Sequence, residues 1–336
     1  MRGSLTSTGL PFARNGRGFL KQAETVAVVT AALFAAGAAL AGILLGMDEF
    51  LALLGRLSPW LIGGMLALSL VNYGLRAWRW HLFGRKLGVE VPFGRTVLYY
   101  AAGFALTTTP GKLGELLRLW LLERGHGYPY QRTTPLFIGD RVGDANAILL
   151  LCLAGLGAFG GHVWVTAGAL LLVGAGTLLL LKPRLLARPL LLAYGVVGRW
   201  PRLFAGVRTS LRHTARFFTP RLYLAALLLG TAGWLAECLA FHMVLEALGA
   251  AVSFQQAVFV FAFSMLVGAA SMLPGGLGST EAVMVGLLAA IGVEIHTAVA
   301  AAVVIRATTL WFAVGLGLAA LPVALGRARR VAVARG

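Results

Sequence analysis

Acidic residues are scarce in this chain, 12 Asp and Glu against 29 Lys and Arg among 336 residues, and charge of both signs together amounts to only 12%. So little charge cannot clothe a soluble exterior. With 59% hydrophobic residues and a mean hydropathy of +0.83, the composition is that of an integral membrane protein. Cysteine is almost missing too. Cys152 and Cys238 both lie inside apolar runs, so they form neither a disulfide framework nor a thiolate metal set, and they read as packing residues. Histidines 81, 126, 162, 213, 242 and 296 are scattered without a His-x-x-x-His spacing, and the chain has no nucleophile elbow and no Walker loop. No catalytic constellation is present, and neither a metal nor a cofactor is expected.

What is abundant is the apolar run. Uninterrupted spans are predicted at Thr25–Gly46, Leu57–Leu75, Thr133–Gly160, Val163–Leu181, Leu222–Leu245 and Thr297–Leu325. The first follows Arg2, Arg14, Arg17 and Lys21 and resembles a secretory signal, but at about 22 residues it exceeds a cleavable core of roughly 7 to 15 and reads as a retained span. The expected organisation is a basic tail over 1–24, one transmembrane domain over 25–326 and a basic tail over 327–336.

The net charge of +17 does not indicate nucleic acid, because the basic residues sit between apolar runs. The N-terminus, Arg76–Arg95, Lys182–Arg221 and the C-terminus carry 4, 5, 9 and 4 Lys or Arg, against Arg56 alone in the opposite loops, which makes the basic face and both termini cytoplasmic. Residues 182–221 suit an interfacial amphipathic helix on an anionic leaflet, or an ordinary positive-inside loop. Arg76-Ala77-Trp78-Arg79-Trp80 reads as an interfacial anchor.

Two broken segments, Thr96–Leu122 and Gln255–Gly292, carry the same short phrase: Pro110-Gly111-Lys112-Leu113-Gly114-Glu115 and Pro274-Gly275-Gly276-Leu277-Gly278, with Glu281 shortly after. Pro110 precedes Arg141 by 31 residues and Pro274 precedes Arg306 by 32. An internal repeat, about 57–160 and 222–325, is expected. The arm before Pro110, about 14 residues, rises only ~21 Å as helix against a hydrocarbon core of ~30 Å, so a re-entrant hairpin is expected. The second arm, about 19 residues, is long enough to cross alone. The predicted fold is all-α: six full spans plus two hairpins, or eight spans if the hairpins cross, in two repeats of inverted topology.

Charged groups inside apolar spans mark function or pairing. Lys112, Glu115, Arg118, Asp140, Arg141, Asp144, Glu237, Glu281 and Arg306 make up that set. After each Pro-Gly tip a half-helix begins, and its free N–H groups and dipole attract an anion, with glycines permitting close approach. Arg141 and Arg306 each fall where they can reach their own tip, either to bind phosphate bidentately or to form an ion pair with Glu115, Asp144 or Glu281. Glu115 and Glu281 offset the helix dipole, pair with Arg, or carry protons. Asp140 and Asp144 share a helical face, and Glu237 is alone in its span, either a hydrogen-bonded carboxyl or a protonation site.

These motifs, with Leu75-Arg76-Ala77-Trp78-Arg79-Trp80, resemble the flippase-like, lysylphosphatidylglycerol synthase transmembrane region family over about residues 25–325. The resemblance implies a polytopic bacterial inner-membrane protein that moves phospholipid or polyprenyl-linked lipid between leaflets. Full-length synthases append a soluble aminoacyl-transfer domain, whereas this chain stops at Gly336, so the synthase activity is not expected. The partners implied are membrane lipids, an anionic phospholipid or a polyprenyl phosphate, and a lipid synthase or glycosyltransferase. An ion-coupled small-molecule transporter and an accessory subunit of a lipid pathway are the alternatives.

Overall fold

The computed structural model describes residues 47–109, 113–157 and 219–333, together with isolated positions between 25 and 36. The tail over 1–24, most of the Thr25–Gly46 span, the Val163–Leu181 span, the basic segment 182–218 and Pro110, Gly111 and Lys112 lie outside the described residues.

Every regular element among the described residues is helical: α1 (Met47–Gly55), α2 (Pro59–Lys86), α3 (Phe93–Ala102) with a 3₁₀ turn (Gly103–Leu106), α4 (Leu113–His126), α5 (Tyr130–Leu156), α6 (Pro220–Ala247), α7 (Phe254–Ala270), a 3₁₀ turn (Pro274–Gly276), α8 (Ser279–Ala290), α9 (Ile295–Arg306), a π-helical turn (Ala307–Trp311) and α10 (Phe312–Val333). The long helices begin where the sequence signals a start. Ser58 and Thr219 each precede a proline and accept a hydrogen bond from the backbone N–H three residues on, opening α2 and α6, and Ser253 with Gln256 forms a reciprocal capping box at α7.

Two helical units, Pro220–Ala247 and Ile295–Ala328, are long and apolar enough to cross a membrane on length and composition. A second observation points the same way, because among the described residues large apolar side chains are exposed while several charged ones are buried. Trp60 is 91% exposed and Leu228 61%, while Arg79 is fully buried and Asp140 is 2% exposed. The exposed leucines of α6, Leu224, Leu228, Leu235 and Leu239, recur at helical spacing on one stripe, as a lipid-facing surface requires. The opposite side of that helix, with Gly230, Trp234, Glu237 and Phe241, is buried.

Both broken segments fold as helical hairpins. The arms α3 and α4 pack on each other, as do α7 and α8. Glycine sets the approach in each. A methyl added at Gly114 would strike the carbonyl oxygen of Gly103, and one added at Gly276 would come within 2.7 Å of Thr280 Oγ1 and 3.2 Å of Gly268 Cα. The first hairpin is seated with α10 in one apolar cluster, around Tyr99, Leu117, Leu121 and Leu321; the second lies with α6 and α9 in another, around Phe241, Phe261, Met284 and Ile305. Helix α2 lies along α6, and α5 along α7. The second tip approaches the first hairpin at Thr108: an alanine methyl at Gly275 would stand 3.4 Å from Thr108 Cγ2.

Two boundaries differ from the sequence expectation. The span expected to end at Leu75 continues as α2 to Lys86, so Arg76 and Arg79 stand in a helix rather than in a loop. The span expected to run unbroken from Thr297 to Leu325 is interrupted by the π turn directly after Arg306. That turn leaves backbone carbonyls outside the regular ladder. Ser69 Oγ donates to the carbonyl of Thr308 at 2.9 Å and Tyr73 Oη donates to that of Thr309, which also accepts the Phe312 N–H, so α2 braces the turn.

Candidate functional site

A cavity of about 560 Å³ opens between the two hairpins, α2, α5, α6 and α9. Gly114 and Glu115, in the first turn of α4, form part of its wall, as do Gly275, Gly276 and Thr280 at the start of α8. Two helix N-termini therefore border one space, and the positive end of a helix dipole favours negative charge there. Met272 and Leu273 line it beside the second tip and are exposed.

Of the residues expected to form the site, the cavity is lined by Gly114, Glu115, Arg118, Arg141, Asp144, Glu237, Gly275, Gly276 and Arg306. Asp140 and Glu281 stand behind the arginines. Pro274 begins the second tip, and Gly278, at φ +83°, begins α8; neither is a lining residue. Pro110, Gly111 and Lys112 lie outside the described residues.

Arg306 joins the second tip to the bundle. Its Nε donates to Glu281 Oε1 at 2.6 Å and its Nη2 to the carbonyl of Gly275 at 2.6 Å. Glu281 uses its other oxygen, Oε2, to accept the Gly278 N–H at 2.7 Å. The carboxylate thus caps the half-helix and pairs with the arginine at once, so the two roles weighed for it from sequence coexist. Arg141 makes the corresponding connection to the first hairpin, with Nε 3.0 Å from Glu115 Oε1, and its Nη2 donates to Asp144 Oδ2 at 3.0 Å. The Arg141–Glu115 contact is a charge pairing rather than an aligned hydrogen bond, because Arg141 Nε makes none. Arg141 is also the more open of the two, with a side chain 28% exposed against 3% for Arg306.

Arg76 and Arg79 correct the sequence reading. Rather than anchoring the interface, Arg76 reaches Asp144 Oδ2 at 2.6 Å, and Arg79 reaches Asp140 Oδ1 at 2.5 Å and Asp144 Oδ1 at 2.6 Å. Only Trp78 of that phrase is exposed, at 49%. The pairing was encoded in spacing. Two arginines three apart on α2 face two aspartates four apart on α5, so each helix presents its charges on one side. The Arg79 guanidinium lies against Gly143 and Gly230, where a methyl would come within 3.2 Å and 2.7 Å of its Nη1.

Around this core, Trp234 Nε1 donates to Asp144 Oδ1 at 3.3 Å and its ring lies 5.0 Å from the Arg76 guanidinium carbon. Arg118 stacks on Tyr100, 3.7 Å from the ring centroid, and its Nη1 reaches Asp140 Oδ2 at 3.5 Å. Glu237 stands apart. It is 4% exposed, lines the cavity, and makes no hydrogen bond or ion pair among the described residues.

Exposed apolar helix faces, paired charges inside and two broken helices around one cavity define a helical membrane protein. The model of the family described as the lysylphosphatidylglycerol synthase TM region matches residues 26–317, and the chain belongs to that family. It is also similar to a UPF0104 membrane protein of Methanothermobacter thermautotrophicus, 33% identical over 118 residues, 35% of each chain. A UPF0104 membrane protein of Pyrococcus horikoshii is 34% identical over 84 residues, 25% of each chain. These matches span about a third or less of the curated relatives' length.

Proposed function

We propose that this protein moves lipid, a phospholipid or a polyprenyl-linked lipid, between the leaflets of the membrane. The observation that carries the reading is the convergence of two half-helix N-termini with Arg141 and Arg306 on one interior cavity. A bare phosphate in hydrocarbon is prohibitively unfavourable, of the order of tens of kcal/mol by simple solvation. Guanidinium forks and oriented N–H groups replace the lost water, while the acyl chains stay in lipid.

The order of elements supports an alternating mechanism. A long helix, a broken pair and a further long unit occur in 59–156 and again in 220–333. With the basic segments on the cytoplasmic side of a bacterial inner membrane, the first hairpin enters from the cytoplasm and the second from outside, so the repeats are inverted. As helix, α4 and α8 rise about 21 Å and 18 Å, short of a ~30 Å core, which favours re-entrant hairpins over full crossings. The π turn after Arg306 supplies a point at which α9 and α10 can bend relative to each other. The role is that of a translocase rather than an enzyme, serving lipids made by a synthase or glycosyltransferase.

Reconstitution into liposomes with a phospholipid labelled in one leaflet tests it. Wild type is expected to equilibrate the label, and Arg306→Ala to do so at least tenfold more slowly. Equal rates for the two would remove the mechanism. Uptake of a soluble anion without lipid movement would turn the reading to a small-molecule transporter.

A further inference from the structure

Among the described residues the paired charges at the cavity leave one cation over, and Glu237 is the carboxyl outside those pairs. Among the described residues, Arg76, Arg79, Arg118, Arg141 and Arg306 are each within ion-pair distance of Asp140, Asp144, Glu115 or Glu281. Five guanidinium groups thus meet four carboxylates. Glu237 is the fifth carboxyl. It is buried and lines the same cavity, yet no cation among the described residues comes within ion-pair distance of it.

We infer that Glu237 is the proton-binding site of the cavity and takes up one proton for each singly charged phosphodiester bound there. This rests on the proposed lipid-moving function and adds the charge of its substrate and the way protons enter. With the cavity empty, an ionised Glu237 brings the described network to neutrality. A phosphodiester arriving at Arg141 and Arg306 adds one negative charge. Two anions in a space this small repel strongly, and protonation of Glu237 restores neutrality. The neutral carboxyl then has an O–H to donate to a phosphate oxygen.

The surroundings of Glu237 leave no other group so placed. Around the same cavity stand Arg76 and Tyr73 from α2, Asp144 from α5 and Arg306 from α9, and the charged ones act on Glu237 electrostatically. Helix α7 contributes Met265 and Leu266 to the cavity and has no charged side chain. Asp144 is engaged by Arg76, Arg79 and Arg141, each within 3.0 Å, so its charge is already matched. Glu115 is held by Arg141 at 3.0 Å. On its own helix, the neighbour Cys238 is buried in the apolar cluster. Anion and proton binding at two adjacent places are reciprocal: each strengthens the other by the same factor.

The test is isothermal titration calorimetry of the full chain in detergent with dihexanoyl phosphatidylglycerol below its micellar concentration, run in two buffers of different ionisation enthalpy, which counts protons taken up. Wild type is expected to take up about one proton per phosphodiester, with Kd rising toward tenfold per pH unit above the titration of Glu237. Glu237→Gln, which keeps the shape, is expected to bind the same probe with no uptake and a Kd flat with pH. Glu237→Asp is expected to restore the uptake, and unchanged melting temperatures would show that both variants fold. Binding by wild type without proton uptake, or equal uptake by wild type and Glu237→Gln, overturns the inference while leaving the lipid reading intact. Absence of any binding of the probe to wild type overturns the lipid reading and this inference with it.

Discussion

Glu281 holds Arg306 with one carboxylate oxygen and the Gly278 N–H at the start of α8 with the other. The arginine cannot leave toward a ligand without loosening the half-helix, and the half-helix cannot shift without releasing the arginine. Glu281→Gln keeps the cap acceptor but loses the charge pairing. It is expected to lower the melting temperature in detergent and to slow lipid equilibration several-fold. Glu281→Ala removes both contacts and is expected to cost about 1 kcal/mol more, the usual value of a lost cap. Paired melting curves and flux measurements on the two variants check this order.

Arg79 separates structure from transport. It is fully buried, bound to Asp140 and Asp144, and is not a lining residue of the cavity. Arg79→Met is expected to take one cation from each aspartate, leaving Asp144 to Arg76 and Arg141 and Asp140 to Arg118 and Arg141, and to destabilise by about 3 kcal/mol, the low end of the cost of breaking a buried ion pair. Arg141→Gln, at the cavity wall and partly open, is expected to cost far less stability but at least tenfold in lipid movement. If Arg141→Gln melts as early as Arg79→Met while moving lipid normally, the division is wrong.

How much of this was readable beforehand follows from which groups find partners nearby in sequence. The breaks in the two segments, the ion pairs of Arg141 with Glu115 and of Arg306 with Glu281 as one of two alternatives, and the solitary Glu237 were visible because Pro-Gly phrases and lone charges in apolar runs are local signals. Arg76 and Arg79 were read as interfacial because Trp78 and Trp80 follow them and the apolar run stops at Leu75. Their true partners lie 61 to 68 residues away on α5. Hydropathy counts such arginines as an end of a span, although a matched carboxylate makes them part of its interior. The π turn was hidden for a related reason. Thr308 and Thr309 suit an ordinary helix, and what stabilises the irregular one are hydroxyls of Ser69 and Tyr73 on a helix far away in sequence.

Those two hydroxyls give a third expectation. Tyr73→Phe and Ser69→Ala each remove one hydrogen bond from a buried carbonyl of the π turn, at a cost of about 1 kcal/mol. The freed turn is expected to relax toward regular α-helix and rotate Arg306 relative to α10. Lipid flux should therefore fall more than stability alone explains, and hydrogen exchange should rise locally in 305–312. Unchanged exchange there in Tyr73→Phe would show that the turn does not depend on α2.

Glycine supplies the last test, because it acts on the hairpins without touching a charge. A methyl at Gly114 would overlap the Gly103 carbonyl oxygen, which is backbone and has nowhere to go, so Gly114→Ala must force the arms of the first hairpin apart. Gly286, in the middle of α8, has nothing within 4 Å of the same position, and there alanine replaces a poor helix former with the best one. Gly286→Ala is expected to be neutral or to gain up to about 1 kcal/mol, and Gly114→Ala to lose several times that. Opening the first hairpin would also displace Glu115 from Arg141 and let the cavity widen. A short-chain phosphodiester should consequently bind Gly114→Ala at least tenfold more weakly, while Gly286→Ala binds it as wild type does. If both variants bound it equally, the close approach of the two arms would have no part in shaping the site.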